Sequence, residues 1–124
     1  MKKPASVMIV EDEALIALQL ADDFSDSGYS IIGPFSKKKE ALAALQRTRP
    51  DAVFLDVNLG PDGMSFDIAA ELRKRDVPFV FLTGYSALGP LKDEFKDVEH
   101  LAKPITQKHA LSALAIMLED RLGS

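Results

Sequence analysis

The stretch Asp51-Ala52-Val53-Phe54-Leu55-Asp56 decides the predicted fold, because it places a carboxylate directly after a run of apolar residues. A short apolar run bounded by turn residues is typical of a buried strand in a parallel sheet. The segment that follows is rich in turn residues and contains Asn58, Gly60, Pro61, Asp62 and Gly63. In open α/β sheets ligands bind at the carboxyl ends of such strands, so Asp56 is predicted to lie in a functional site.

Composition limits the classes of protein to which the chain can belong. Its 124 residues are enough for one domain with one substantial core. A net charge of −4 argues against non-specific binding to nucleic acid, and the absence of cysteine excludes disulfides and cysteine-based zinc sites. No apolar run reaches the ~20 residues of a membrane span, and no signal peptide is evident. We therefore expect a cytoplasmic domain that does not bind nucleic acid directly and does not enter a membrane.

Strand patterns alternate with helix patterns along the whole chain. Besides the quoted stretch, strands are predicted at residues 7–10, 29–33, 78–82 and 98–102. The fourth helix, at residues 85–96, is predicted to be poor because Gly89 and Pro90 interrupt it. Five βα units of this length predict a doubly wound α/β fold. Its five-stranded parallel sheet has the flavodoxin-like order 2-1-3-4-5.

The sequence also predicts finer details of the second strand and of two helices. Pro34 closes the second strand, and Ser36 caps the helix that follows it. In the last helix the predicted core stripe consists of Leu111, Leu114, Ala115, Leu118 and Leu122. A second stripe beside it contains Ala110, Ala113 and Met117.

Three carboxylates are predicted to meet at one edge of the sheet. Strands 1 and 3 are neighbours in the predicted order, so Glu11 and Asp12 after strand 1 approach Asp56 after strand 3. Clustered carboxylates repel one another, so such a site is unfavourable without a cation. Mg²⁺ prefers oxygen ligands, and the backbone carbonyl of Asn58 is the natural additional candidate. The predicted cofactor is Mg²⁺.

The same edge offers the groups needed to accept a phosphoryl group. A carboxylate can act as a nucleophile and form an acyl phosphate, which makes Asp56 the predicted phosphoacceptor. Lys103 after strand 5 would neutralise phosphoryl charge, and Thr83 after strand 4 offers a hydroxyl donor. Gly84 beside it leaves the approach of the phosphate open.

Four short motifs in this order, Glu11-Asp12, Asp56, Thr83-Gly84 and Lys103-Pro104, resemble those of a response regulator receiver domain over essentially the whole chain. The resemblance implies that residues 1–124 form a single receiver without an output domain. It implies a two-component phosphorelay protein in which a histidine kinase or phosphotransfer protein phosphorylates Asp56 in a Mg²⁺-dependent reaction. That event would shift a conformational switch controlling a downstream protein partner.

The resemblance assigns the remaining site residues as well. Glu11, Asp12, Asp56 and the Asn58 carbonyl would hold Mg²⁺, and Thr83, Gly84 and Lys103 would bind the phosphoryl group. The peptide bond before Pro104 is expected to be cis. The receiver would not be an enzyme, although self-dephosphorylation is compatible with it.

A subfamily is suggested by residues 78–85, Pro-Phe-Val-Phe-Leu-Thr-Gly-Tyr, which are similar to the "FAT GUY" receivers that often stand alone. Leu82 replaces the small residue of that pattern. His100 takes the place of the usual switch aromatic three residues before the lysine, and Ile105 replaces the aromatic after Lys-Pro. Tyr85 is therefore a second candidate for the switch residue.

Two other functions remain open at this point. A haloacid-dehalogenase-like phosphatase also uses a strand-ending Asp with Mg²⁺, but it needs a second Asp where this chain has Asn58. A pseudo-receiver would act only by binding proteins, which an intact acceptor, threonine and lysine do not favour. Dimerisation through the predicted fourth helix, fifth strand and fifth helix is also left open.

Overall fold

Five parallel strands form a sheet. In the computed structural model the described residues are 3–84 and 93–123. The strands are β1 (Ser6–Val10), β2 (Ser30–Phe35), β3 (Ala52–Asp56), β4 (Phe79–Thr83) and β5 (His100–Ala102). Their order across the sheet is β2-β1-β3-β4-β5, and every neighbouring pair is parallel. The predicted flavodoxin-like order is confirmed.

Four α-helices are found among the described residues, and they cover the sheet. They are α1 (Ala14–Asp26), α2 (Lys38–Arg47), α3 (Phe66–Lys74) and α4 (Gln107–Gly123). Where the sequence predicts a poor helix between β4 and β5, the described part is a 3-10 turn, Asp93–Phe95. Residues 85–92 lie outside the described part of the chain. None of the described helices is both long and apolar enough to span a membrane.

Alternate residues of each strand pack on opposite faces of the sheet, as the two-residue period of a strand requires. On β3, Phe54 packs with α1 and α4, and its ring centroid lies 4.8 Å from that of Phe24. Val53 and Leu55 pack on the other face with α2 and α3. Each of these fully buried side chains contributes about 1.5–3 kcal/mol to folding. The central strand is therefore fixed from both sides, and Asp56 at its end is held in a defined place.

Two details of the predicted strands and caps are wrong. β2 does not end before Pro34 but continues to Phe35, with a register shift opposite β1 near Gly33, whose φ is +97°. The N-cap of α2 is Lys37 rather than Ser36, and no side chain of the helix start caps it. Instead, the backbone N–H of Lys38 donates to Asp62 Oδ2 at 2.5 Å.

The core face of α4 also differs from the predicted stripe. Leu114 is buried as expected, but its buried companions are Ala110, Ala113 and Met117. Leu111 and Leu118 are only half-buried, and Ala115 is exposed; the side chain of Leu122 lies outside the described residues. The helix is rotated so that small alanine side chains face the sheet. The stripe predicted as secondary is therefore the core stripe.

β5 is also shorter than predicted, since it begins at His100.

Candidate functional site

The carboxylates predicted to converge do meet at the carboxyl edge of the sheet. β1 and β3 are paired, with Val10 opposite Leu55, so the residues that follow each strand lie side by side. One oxygen from each of four carboxylates lies within 4.8 Å of the others, and these belong to Glu11, Asp12, Glu13 and Asp56. Glu13 is an addition to the predicted set. Its position at the start of a helix gave no signal that its side chain would turn toward the site.

Lys103 lies at the centre of this cluster. Its Nζ is 2.7 Å from Glu11 Oε1, 2.9 Å from Asp56 Oδ2 and 3.1 Å from Glu13 Oε1. The residue directly follows β5, and its backbone N–H donates to the carbonyl of Thr83 at 2.8 Å, which ties the ends of β4 and β5 together. The Lys103-Pro104 peptide bond is cis, as the resemblance implies.

The charges of the cluster shift the protonation of both its central groups. Burial, which is the largest cause, and the adjacent Glu11 carboxylate raise the pKa of Asp56 to about 8, although Lys103 opposes the rise. Burial alone would lower the pKa of Lys103, but its bonds to Glu11 and Asp56 raise it above the usual value. Lys103 therefore stays protonated, and without a further cation Asp56 holds a proton more readily than an ordinary aspartate does.

Backbone and side-chain hydrogen bonds fix the end of β3. The Asn58 N–H donates to Asp56 Oδ1 at 3.2 Å, and the Gly60 N–H donates to Asn58 Oδ1 at 2.9 Å. Ser65, which is fully buried, donates its hydroxyl to the Asp56 carbonyl at 2.5 Å. The sequence analysis missed Ser65, because a serine nine residues beyond a strand carries no local signal. These bonds orient Asp56 through its Oδ1 and its backbone carbonyl. Its other carboxylate oxygen, Oδ2, contacts Lys103.

Gly60 allows the loop after β3 to pass close to Asp12. Its φ is +64°, a left-handed conformation that side chains rarely adopt. A Cβ at this position would lie 2.7 Å from Asp12 Oδ2. The glycine therefore serves both the backbone conformation and the position of a predicted metal ligand.

The predicted phosphoryl-binding and switch residues are distributed differently around the site. Gly84 lines the open pocket together with Asp56 and Lys103, and Thr83 is buried at the end of β4 beside it. His100 does not line the pocket; its ring stacks on Phe81, with centroids 5.8 Å apart. Tyr85 lies outside the described residues.

Comparison with known proteins gives a consistent result across the whole chain. A statistical model of the response regulator receiver domain matches residues 7–115. Over 117 residues the chain is 33% identical to the transcriptional regulatory protein PdtaR of Mycobacterium tuberculosis, a match that covers 91% of this chain and 56% of PdtaR. The chain thus spans about half the length of the curated relatives it matches.

Solved structures show the same similarity in three dimensions. The solution structure of SdrG from Sphingomonas melonis Fr1 superposes with a TM-score of 0.82 at 37% identity, covering 95% of this chain and 99% of SdrG. The receiver domain of the PhyR response regulator from Erythrobacter litoralis superposes with a TM-score of 0.81 at 26% identity. That match covers 93% of this chain and 90% of the PhyR domain.

Proposed function

The chain belongs to the family of response regulator receiver domains, which act in two-component signalling, and from this premise we propose that Asp56 accepts a phosphoryl group. The observation that carries the proposal is the contact between Lys103 Nζ and Asp56 Oδ2 at 2.9 Å, inside a cluster of three further carboxylates. A buried carboxylate held beside a half-buried ammonium has both a nucleophilic oxygen and a partner for the incoming negative charge.

The donor atoms of the cluster fit Mg²⁺. All of them are hard oxygens, and no cysteine or histidine belongs to the group found among the described residues. Asp12, Asp56, Glu11 and the carbonyl of Asn58 would hold the ion, and Gly60 keeps space beside Asp12 free. Bound there, Mg²⁺ would neutralise charge on the carboxylates and on the transferring phosphoryl oxygens.

The transfer combines groups of this edge of the sheet with a phosphohistidine of the donor protein and Mg²⁺. An ionised oxygen of Asp56 attacks the phosphorus of a donor phosphohistidine, a P–O bond forms, and the P–N bond breaks with its electron pair returning to the imidazole. The product is an acyl phosphate on Asp56 and a free histidine side chain on the donor. Lys103, Thr83 and the backbone beside Gly84 would stabilise the phosphoryl oxygens.

This function makes the domain a substrate of phosphoryl transfer rather than an enzyme. Its partners would be a histidine kinase or phosphotransfer protein and a downstream protein that senses the phosphorylated state. A haloacid-dehalogenase-like phosphatase is not favoured, because the general-acid position is Asn58, an amide that cannot give up a proton and whose Oδ1 accepts the Gly60 N–H. We further propose that residues 1–124 act as one receiver unit.

Intact mass spectrometry after incubation with acetyl phosphate tests this proposal. We expect the mass of one phosphoryl group to be gained with Mg²⁺, and no gain in excess EDTA or in Asp56→Asn. Asp51→Asn is unsuitable as a control, because Asp51 Oδ2 accepts a hydrogen bond from the Ser6 N–H of β1. Asp22→Asn, on the exposed side of α1, is the control. A mass gain that survives Asp56→Asn would disprove Asp56 as the acceptor.

A further inference from the structure

Three carboxylate oxygens surround the ammonium group of Lys103, which has three N–H donors. Lys103 donates to Glu13 Oε1 and Asp56 Oδ2, while Glu11 Oε1 lies 2.7 Å from Nζ without accepting a hydrogen bond. A phosphoryl oxygen that approaches Lys103 therefore meets a carboxylate oxygen on three sides. Asp56 becomes the acyl phosphate itself, so the carboxylate that gives way is Glu11 or Glu13, and the cost of returning its charge to water decides between them.

The three carboxylates differ sharply in that cost. The side chain of Glu11 is 0% exposed and that of Asp56 is 5% exposed, whereas that of Glu13 is 60% exposed. Glu13 also makes the longest of the three contacts, at 3.1 Å. Water can solvate Glu13 at once when it leaves, while Glu11 would remain a buried, uncompensated charge.

Apart from its place in the carboxylate cluster, the side chain of Glu13 makes no hydrogen bond to any described residue other than Lys103. It stands at the N-cap of α1, yet it makes no side-chain cap bond. Only its backbone takes part in the helix start, since its N–H donates to Glu11 Oε2 at 2.9 Å and its carbonyl accepts from the Ala17 N–H at 3.0 Å. Neutralising the carboxylate should therefore leave the hydrogen bonds of α1 intact.

We propose that Glu13 is a positioning residue that holds Lys103 in the resting protein and is displaced from it by a phosphoryl oxygen. This inference rests on the proposed function of Asp56 as acceptor. Glu13 acts as an internal competitor for Lys103, so it lowers the affinity of the site for a phosphoryl group. Its displacement also breaks the bond between Glu13, at the start of α1, and Lys103, directly after β5, which are 90 residues apart in the chain.

Three variants separate this role from simpler effects of charge. Glu13→Gln removes the negative charge and keeps the length. Glu13→Asp keeps the charge, but its shorter side chain can cap α1 instead of reaching Lys103. Asp22→Asn makes the same change of net charge on an exposed position nine residues, or about 13 Å, along the helix.

The measurement is the dissociation constant of beryllofluoride, a phosphoryl analogue, in the presence of Mg²⁺ by calorimetry, with phosphoryl lifetime by intact mass as a second readout. We expect Glu13→Gln and Glu13→Asp to bind about two- to fivefold more tightly and to lengthen the lifetime, the range expected for loss of one exposed ion pair, with Asp22→Asn unchanged. A purely structural role would alter melting temperature and leave these quantities alone.

Three results would overturn the inference. Unchanged or weaker binding by Glu13→Gln would show that Glu13 does not compete for Lys103. Wild-type behaviour of Glu13→Asp, or an equal gain in Asp22→Asn, would show that negative charge alone matters. If the wild-type protein gains no phosphoryl mass and binds no beryllofluoride, the proposed function itself fails, and this inference fails with it.

Discussion

At the residue scale, the site carries more negative charge than its own cation can balance. Four carboxylates lie together and Lys103 contacts three of them. Asp56 is buried and faces the Glu11 carboxylate, and burial together with Glu11 raises its pKa to about 8 although Lys103 opposes the rise. Folding into this arrangement without a metal ion costs free energy at neutral pH. The reason is that the unfolded chain ionises the same carboxyl group near its ordinary pKa, whereas the folded site opposes that ionisation.

Asp56→Asn should therefore stabilise the metal-free protein in a pH-dependent way. A carboxyl whose folded pKa is raised binds its proton more tightly when folded, so the wild type loses stability as pH rises from about 4 to about 8, and not beyond. The gain in melting temperature from the substitution should grow over that window to about 5 °C or more at pH 8 in EDTA. Calorimetry at pH 5, 6.5 and 8 measures it, with Asp22→Asn as control. A gain of the same size at all three pH values would contradict the assignment.

A second prediction at this scale concerns the space that Gly60 keeps beside Asp12. Gly60→Ala should weaken Mg²⁺ binding, because the added Cβ would lie 2.7 Å from Asp12 Oδ2 and displace that ligand. Gly63→Ala is the matched control, since Gly63 also has a positive φ (+87°) but an added Cβ there meets nothing within 4 Å. Both variants should lose about 1 kcal/mol or more of stability to backbone strain.

Magnesium titration followed by melting temperature distinguishes the two glycine variants. Binding of Mg²⁺ to the folded state raises the melting temperature by mass action. We expect Gly60→Ala to need several times more Mg²⁺ than Gly63→Ala for the same rise. Equal Mg²⁺ dependence in the two variants would show that the close approach to Asp12 is unimportant for the ion.

At the element scale, α2 is capped from outside its own sequence. The Lys38 N–H donates to Asp62 Oδ2, and Lys38 Nζ lies 3.3 Å from Asp67 Oδ2 and donates to the Met64 carbonyl at 3.2 Å. The loop after β3, which carries the proposed metal ligand Asn58, is thus fastened to the start of α2. An ion pair as exposed as that with Asp67 contributes little, so the cap bond is the stronger of these links.

Asp62→Ala should therefore destabilise the protein by about 1 kcal/mol, the usual effect of losing an N-cap carboxylate. Ser36→Ala should have an effect within about 0.5 kcal/mol, because Ser36 is exposed and makes no cap bond. Urea unfolding of both variants and of the wild type measures the difference. A loss at Ser36 that equals or exceeds the loss at Asp62 would restore the cap predicted from sequence.

These elements show what sequence patterns can and cannot predict. Strand order and the meeting of Glu11, Asp12, Asp56 and Lys103 follow from where apolar runs end, which is a local property of the chain. The cap by Asp62 joins residues that are 24 positions apart, and the contact of Glu13 with Lys103 joins residues that are 90 positions apart. Both contacts depend on the directions in which side chains point, and no local sequence pattern encodes those directions. The rotation of α4 was missed for a related reason, since leucines mark an apolar face but do not decide which part of it packs closest to the sheet.

At the scale of the whole molecule, the sheet connects the site to the segment after β4. Phosphorylation would add about −1.5 to −2 charges at Asp56, and Thr83 and Lys103 are bonded to each other through their backbones. A pull on Thr83 is passed to Gly84 and Tyr85, which follow it in the chain. The other candidate, His100, belongs to a filled aromatic cluster, because Phe81 lies against both it and Phe95, at 5.8 and 5.9 Å between centroids.

The switch is therefore expected to involve Tyr85 and residues 85–96 rather than β5. The ring of His100 is already stacked on Phe81, and a move of that ring would break the stack. A Cβ added at Gly84 would meet nothing within 4 Å, so the chain after β4 has space to move. Gly89 and Pro90 disfavour a regular helix in the segment that follows. A full inversion from 1:99 to 99:1 would need about 5.5 kcal/mol of differential binding, and a smaller bias suffices for partial signalling.

Hydrogen exchange with and without beryllofluoride and Mg²⁺ tests where the switch lies. We expect the largest change in exchange between residues 85 and 96, a strong reduction of that change in Tyr85→Ala, and its persistence in His100→Ala. His100→Ala should still lower the melting temperature, because it removes a ring stacked on Phe81. If His100→Ala instead abolishes the exchange response while Tyr85→Ala retains it, the switch lies on β5, since only a ring on that strand could then transmit the phosphoryl signal.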